Sequence, residues 1–370
     1  MKVREAMIVA GGAGTRLWPL TRSTPKPLVE FCGAPFLEGV IRRLAAIGVD
    51  RVLLVVGADP SPFTVLEPAA KAVGVALETV PEPQPLDTAG GVVSALDKVT
   101  GPFLVLNGDI LTDVDFAAAI DAHARAGADA TLVLTRVADT SAFGVCVLEG
   151  TRVRGFVEKP APGTVSDDTV NAGTYVLTPE VLADFPPGRL SFEREVFPQL
   201  VASGRHVEGF VSNAVWADLG TPERYLAGHR LALDGAMRWP SLDDVVRDAP
   251  TTRGDADRSG IARGANVEVA DDAHLHAPVL LADNARVGPG ATVGPYTVVG
   301  RNGRVAANAR VVGSVLSAET TVAADISVTN TICGRRTHVG ADLDEVVVAD
   351  AARVDTSARA TTVPKRTKGN

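Results

Sequence analysis

Cysteine is scarce. The chain of 370 residues holds three, Cys32, Cys146 and Cys333, far apart along it. That number and spacing exclude a disulfide framework and a zinc-ligand cluster. They suit a reducing cytosol, so the expected location is cytoplasmic. Long hydrophobic runs are also lacking: none approaches the ~18 residues needed to span a bilayer, so no membrane partner is expected. Residues 1–5 are charged and lead into a short apolar stretch, 6–10, with no signal peptide visible. A basic excess is missing as well. Lys plus Arg number 36 against 44 Asp plus Glu, a formal net charge of −8. Wrapping nucleic acid calls for a basic stripe. Any phosphate bound here should therefore be held by a few local cations and backbone N–H groups.

What is present is ordinary globular composition, 46% hydrophobic and 22% charged, with length enough for about two domains. The two parts differ in texture. Up to residue 235, short apolar runs alternate with helical patterns. Runs 6–10, 51–56, 75–80, 103–106 and 130–134 read as strands. Over 35–47 the apolar residues Phe36, Leu37, Val40, Ile41, Leu44 and Ile47 fall at helical spacing, and Gly48 is a stop. Such alternation implies an α/β domain at 1–235 with a doubly wound, mostly parallel sheet. Ligands bind such sheets outside the carboxyl ends of the strands. Residues 236–262, with Pro240 and Pro250, read as a linker. From there a six-residue repeat sets in: Val269, Leu275, Leu281, Val287, Val293, Val299, Val305 and Val311, with a small or β-branched residue four places after each. It slips by one at Leu316, resumes at Val322 and Val328, slips at Cys333 and reaches Val339. Hexapeptide periodicity predicts a parallel β-helix over 263–350, each turn stacking its apolar corners on the next. Residues 351–370 read as a frayed tail.

The first strand delivers into Gly11-Gly12-Ala13-Gly14-Thr15-Arg16. This is neither a Walker A loop nor G-x-G-x-x-G. Its mechanics are still those of a phosphate cradle. Gly11, Gly12 and Gly14 let the backbone turn sharply and let N–H groups approach an anion, with Thr15 beside them. Arg16 adds a planar cationic fork. Ten residues on, Pro25 and Pro27 stiffen the chain around Lys26, and a rigidly held ammonium suits a phosphate whose charge grows during reaction.

These residues, from Gly11 through Leu17, Trp18, Pro19, Leu20 and Thr21 and then Pro25, Lys26, Pro27 and Leu28, resemble the signature of the sugar-nucleotide pyrophosphorylases, nucleotidyltransferases acting on sugar 1-phosphates. Residues 29–35 resemble the mannose-1-phosphate guanylyltransferase branch. The resemblance covers essentially the whole chain, since many of these enzymes carry a C-terminal hexapeptide β-helix, and it implies that this helix is left-handed.

Asn107-Gly108-Asp109 follows the apolar run 103–106, which aims a carboxylate at the ligand crevice, and Asp218 lies in Trp216-Ala217-Asp218-Leu219-Gly220. Two carboxylates from distant segments can hold Mg²⁺ against triphosphate oxygens; each alone reads first as a turn or cap residue. The resemblance implies that Asp109 and Asp218 bind the metal. It also implies a sugar-phosphate side made of Glu158 and Asn171 for sugar hydroxyls, Lys159 for the phosphate, and the backbone of Gly144. The plain alternative for Glu158 and Lys159 is a surface ion pair. Pro85-Leu86-Asp87-Thr88-Ala89-Gly90 resembles the base-binding Pro-Leu-Gly-Thr-Ala-Gly of guanylyltransferases, with Asp87 in place of glycine. Asp87 either accepts from a guanine edge or caps the helix starting near Thr88. His123, His206 and His229 lack ligand spacing and read as structural; His274, His276 and His338 fall in the repeat. Segment 191–197 reads as a capped helix start.

The expected reaction is attack of a sugar 1-phosphate oxygen on the α-phosphorus of an NTP, with pyrophosphate departing and Arg16, Lys26 and Lys159 neutralising charge. GTP with mannose 1-phosphate is the first expectation. Glucose 1-phosphate with UTP or dTTP, or a sugar-like cyclitol phosphate, stands behind it. A bifunctional acyltransferase and a non-catalytic sugar-nucleotide-binding subunit are the competing readings; the first lacks an inserted loop to cover an acyl-CoA, and the second should have lost at least one of the charged residues. The β-helix is expected to support a homo-oligomer.

Overall fold

The computed structural model describes residues 2–12, 14–161, 167–243, 246–247 and 260–359. Much of the linker, including Pro250, and the end of the tail from 360 lie outside the described residues. The chain divides into two compact units. One holds the described residues of Met1–Ala13, Lys26–Leu28 and Phe36–Asp218; the other holds those of Gly14–Pro25, Val29–Pro35 and Leu219–Asn370.

In the first unit the strands are β1 (Glu5–Val9), β2 (Arg51–Val56), β3 (Ala76–Pro81), β4 (Phe103–Asn107), β5 (Ile110–Thr112), β6 (Ala130–Arg136), β7 (Gly144–Glu149), β8 (Arg152–Glu158), β9 (Thr169–Leu177), β10 (Val207–Val211) and β11 (Trp216–Asp218). Nine of them form one sheet in the order β3-β2-β1-β4-β9-β6-β10-β8-β7, and β5 pairs with β11 apart from it. The part β3-β2-β1-β4 is parallel throughout. Strand β9 runs against both β4 and β6, and β10 is parallel to β6. The chain moves outward from β1 to one side through β2 and β3, then returns to place β4 on the other. That reversal opens a crevice at the carboxyl ends of β1 and β4.

Burial explains the near-continuous apolar strands. Met7, Leu53, Phe103, Val105, Leu132 and Leu134 are wholly buried in one core, because both sheet faces are covered. Helix α1 (Phe36–Ala46) buries Phe36, Leu37, Val40, Ile41 and Leu44, the face that the spacing predicts. Gly48 follows it at φ +88°, a left-handed stop that glycine adopts without strain. Helix α2 (Asp87–Ser94) follows β3. Helix α3 (Phe116–Ala126) starts on Asp115, whose carboxylate accepts the Ala118 N–H at 2.9 Å. His123 on α3 is buried and meets the Thr131 hydroxyl at 2.9 Å, a satisfied core histidine.

Among the described residues the second unit is built around a parallel β-helix of three sheets with six parallel strands each, Val246–Arg247 adding antiparallel to the edge of one, consistent with the left-handed class. Val287, Val293, Val299, Val305 and Val311 form the inner column. The corner stack Val269, Val287, Val305 repeats every 18 residues; the next steps, to Val322 and Val339, are 17, and the last, to Val354, is 15. The coils shorten, so the six-residue spacing fades after Val339 while the strands continue to Ala358–Arg359. Among the described residues, no helix is long and apolar enough to cross a membrane.

Segment Val29–Pro35 and helix α4 (Pro222–Leu233) belong to this unit and lie on the β-helix. A Cβ on Gly33 would come 3.2 Å from Ala282 Cβ. The Tyr225 hydroxyl donates to the Glu30 carbonyl. The Cys32 N–H donates to His229 Nε2 at 3.1 Å, while His229 Nδ1 faces the Tyr225 carbonyl at 2.9 Å. Those partners require the neutral ring with its proton on Nδ1, and burial lowers the His229 pKa to about 4.

Glu30 is buried, accepts the Ala318 N–H at 2.9 Å, and has its pKa raised by that burial. A carboxyl that holds its proton more tightly when folded loses stability as pH rises from the unfolded value toward the folded one. Glu30→Gln keeps an oxygen for Ala318 and removes the charge. Its melting temperature should match the native chain below pH 4.5 and equal or exceed it at pH 7–8, which thermal denaturation across pH will check.

Candidate active site

The crevice is lined by the turns that leave the carboxyl ends of β1 and β4. Gly11 and Gly12 leave β1, and a Cβ on Gly12 would meet nothing within 4 Å, so this bend is open. The Gly108 N–H donates to the Val9 carbonyl at 2.9 Å. A Cβ on Gly108 would stand 2.9 Å from that same carbonyl oxygen, so only glycine lets the chain pass β1 this closely. Asp109 comes next and leads into β5. Strands β5 and β11 pair antiparallel with Ile110 opposite Asp218, which brings the carboxylates of Asp109 and Asp218 together from points 109 residues apart. Lys26 Nζ stands between them, 2.5 Å from Asp109 Oδ2 and 3.4 Å from Asp218 Oδ1. The lysine side chain is only 9% exposed and the two acids 35% and 15%, so this is a partly desolvated cation held by two anions.

Trp216, the first residue of β11, contacts the chain neighbours of Asn171 and Gly144, two of the residues expected on the sugar side. Its indole N–H donates to the Ala172 carbonyl at 3.0 Å, and its ring packs edge-on to Phe143, centroids 5.1 Å apart. Gly144 begins β7 opposite Glu158 at the end of β8. A Cβ on Gly144 would lie 2.5 Å from the Phe156 ring and 2.9 Å from Glu158 Oε2, so glycine makes room for that carboxylate. Lys159 Nζ pairs with Glu158 Oε1 at 2.9 Å, the surface ion pair of the plain alternative. The Asn171 amide is committed at two points: its Nδ2 donates to the Tyr175 hydroxyl at 2.8 Å and its Oδ1 accepts the Gly173 N–H at 3.0 Å.

Asp87 has φ +67° at the start of α2. Its Oδ1 accepts the Thr88 N–H at 2.9 Å, and its Oδ2 is 3.5 Å from Arg189. Asp87 is the first residue of α2, which carries no side-chain cap; its carboxylate meets the adjacent N–H and Arg189, and the left-handed backbone explains why glycine suits this position. Thr88 donates to Glu193 Oε2 at 2.6 Å, and the Tyr175 hydroxyl lies 3.4 Å from Glu193 Oε1. Thr88, Glu193, Tyr175 and Asn171 therefore form one chain of polar contacts from the α2 loop to the sugar side. Gly14, Thr15 and Arg16 belong to the second unit. Thr15 and Arg16 lie on the short turn Thr15–Leu17, which Gly14 enters at φ +60°.

Sequence reasoning misses Trp216, Glu193 and two orphaned oxygens. Asn107 Oδ1 is buried without a partner, as is Glu82 Oε1. Glu82 sits just after β3 between Gly11 and Gly91, where a Cβ would come 3.0 and 2.1 Å from its carboxylate, and burial raises its pKa. The signal is faint: Glu82 precedes the recognisable Pro85-Leu86 stretch by three residues.

The family model described as Nucleotidyl transferase matches residues 5–235, and one described as GMPPB C-terminal domain matches 275–361. The mannose-1-phosphate guanylyltransferase of Mycobacterium tuberculosis is 38% identical over 298 residues, 77% of this chain and 82% of that protein. A probable mannose-1-phosphate guanylyltransferase of Arabidopsis thaliana is 37% identical over 63% of this chain and 66% of its own. Among solved structures, HddC from Yersinia pseudotuberculosis complexed with GMP-PN is 29% identical with a TM-score of 0.52, covering 61% of this chain and 98% of that one. A glucose-1-phosphate thymidylyltransferase from Bacillus anthracis shares the fold at 20% identity, with a TM-score of 0.57 over 62% of this chain and 94% of its own. On these matches the chain belongs to the nucleotidyl transferase family, on the branch of its mannose-1-phosphate guanylyltransferase relatives.

Proposed function

We propose that the chain joins GTP to mannose 1-phosphate, giving GDP-mannose and pyrophosphate. The observation that carries this reading is the convergence of Lys26, Asp109 and Asp218 at the carboxyl end of a parallel sheet. A phosphate oxygen of the sugar attacks the α-phosphorus; the bond from that phosphorus to the bridging oxygen breaks, and pyrophosphate leaves with the electron pair. The attacking group is already an anion, so no side-chain nucleophile is required. The barrier is repulsion between polyanions, lowered by positioning and fixed positive charge. Lys159 holds the incoming phosphate, Lys26 and Arg16 stabilise the departing one, and the glycine loop supplies N–H donors.

Magnesium fits the donor set. Two carboxylates already converge on one cation, and both are hard oxygen donors. Among the described residues no cluster of three or more His, Cys, Asp and Glu could hold a metal. Asp109 and Asp218 would therefore share the ion with substrate phosphates, the arrangement Mg²⁺ favours. When bound, it would neutralise phosphate oxygens as a Lewis acid.

Guanine is supported by the relatives' names. The test is a matrix assay of pyrophosphate release, pairing each nucleoside triphosphate with mannose, glucose and cyclitol 1-phosphates in Mg²⁺. The expected best pair is GTP with mannose 1-phosphate; silence in every cell removes the enzyme reading. We also read the β-helix as an assembly surface. Light scattering on the full chain should give a dimer or larger, and a monomer at micromolar concentration refutes it.

A further inference from the structure

The loop that carries Arg16 is fastened to the β-helix. Residues Gly14–Pro25 group with that unit, while Lys26 groups with the sheet. Within the loop, the Thr21 hydroxyl donates to the Gly14 carbonyl at 2.7 Å, and Leu17 and Leu20 are buried. At its far end Asp350, on the late coils, accepts through one oxygen, Oδ2, from both the Ser23 hydroxyl (2.9 Å) and the Thr24 hydroxyl (2.7 Å). Arg335 Nη2 reaches the same Thr24 oxygen at 3.4 Å, and Thr24 is 5% exposed.

The other oxygen of Asp350 does ordinary turn work. Oδ1 accepts the Arg335 N–H at 2.8 Å, as Asp283 Oδ1 accepts the Ala265 N–H in an earlier coil. In both coils a glycine makes the space: a Cβ on Gly334 or Gly264 would lie 2.5 or 2.3 Å from the carboxylate. The turn therefore explains Oδ1 and leaves Oδ2 for the loop. Thr24 is joined to Lys26 by Pro25 alone, and Pro27 comes next, so φ is fixed on both sides of the lysine.

We propose that Asp350 and Arg335 are positioning residues for the phosphate loop: by gripping the Ser23 and Thr24 hydroxyls they fix, through the stiff covalent run to Lys26, where the loop's cations stand. The β-helix then serves catalysis as well as assembly. The inference rests on the nucleotidyl-transfer reading above. In the full chain with GTP, mannose 1-phosphate and Mg²⁺, Ser23→Ala with Thr24→Val should lower kcat on the order of 10- to 100-fold, the scale of a small misplacement at a distance from the chemistry. The melting temperature should hold. Asp350→Ala should give a similar loss, and combining it with the loop changes should add little, because one contact is being removed twice. Thr24→Ser alone should keep native turnover. Native kinetics in the loop variant, or fully additive losses, overturn the proposal. Amide hydrogen exchange tests it without activity: residues 14–26 should exchange faster in Thr24→Val while β1 is unchanged, and an unaltered loop refutes the grip. A chain silent in the matrix assay but faster-exchanging in the variant would sink the activity reading and leave the grip standing.

Discussion

Lys26→Ala is expected to lower kcat on the order of 10²- to 10³-fold with the fold intact, the scale of removing one preorganised donor from a developing oxyanion. The lysine has two partners in the free protein, Asp109 and Asp218, so its loss leaves two acids facing each other without a counter-charge. A structural role and a catalytic role then make different forecasts. A divalent cation can replace the ammonium as a counter-ion to the carboxylates. It cannot replace a charge fixed on the protein beside the leaving pyrophosphate. The melting temperature of the variant should therefore rise more steeply with Mg²⁺ than that of the native chain, since binding to the folded state stabilises by mass action. Turnover should stay low at every Mg²⁺ concentration. Thermal shift and pyrophosphate release on the same samples separate the two. A variant that turns over near the native rate, or recovers turnover with excess Mg²⁺, removes Lys26 from the chemistry.

Much of this architecture is legible in the chain because it rests on local rules. The apolar spacing of Phe36, Leu37, Val40, Ile41 and Leu44 is a helix face, and it is the face buried. Eight corner residues six apart from Val269 announce stacked turns, and they line the inner column or flank it. The glycine loop and the Asn107-Gly108-Asp109 turn are readable for the same reason: each is a run of consecutive residues. What escapes depends on partners distant in sequence. Nothing near Thr24 announces Asp350, 326 residues away. Glu193 reads as an ordinary helix-start acid until Thr88 and Tyr175 are placed on it. The shortening of the late coils from 18 to 15 residues breaks the spacing on which the repeat is recognised, so the last strands read as tail. Asp87 stays open between two roles because sequence shows a side chain and not a φ; the backbone stands at +67° and the carboxylate meets the Thr88 N–H and Arg189.

The second large effect concerns Lys159. Its φ is +47°, an uncommon conformation for a residue with a Cβ, and it precedes Pro160, which favours extended backbone before it. The Lys159 N–H donates to the Phe143 carbonyl at 3.0 Å and holds the bend. A lysine kept there against its own preference, with a side chain 56% exposed, gains little from its ion pair with Glu158, since exposed pairs contribute about 0–1 kcal/mol. The ammonium is thus cheaply released to a phosphate. Lys159→Gly separates position from charge. Glycine relieves about 1–2 kcal/mol of left-handed strain and gives back about 0.4–1 kcal/mol through the freer unfolded chain, so stability should stay near or slightly above native. Losing one charge-assisted hydrogen bond to the sugar phosphate, about 1.5–3 kcal/mol, should raise KM for mannose 1-phosphate about 10- to 150-fold. KM for GTP should not move. Steady-state kinetics varying each substrate in turn will show the split. A variant that loses stability with unchanged affinity for the sugar phosphate would reduce Lys159 to one half of a surface ion pair.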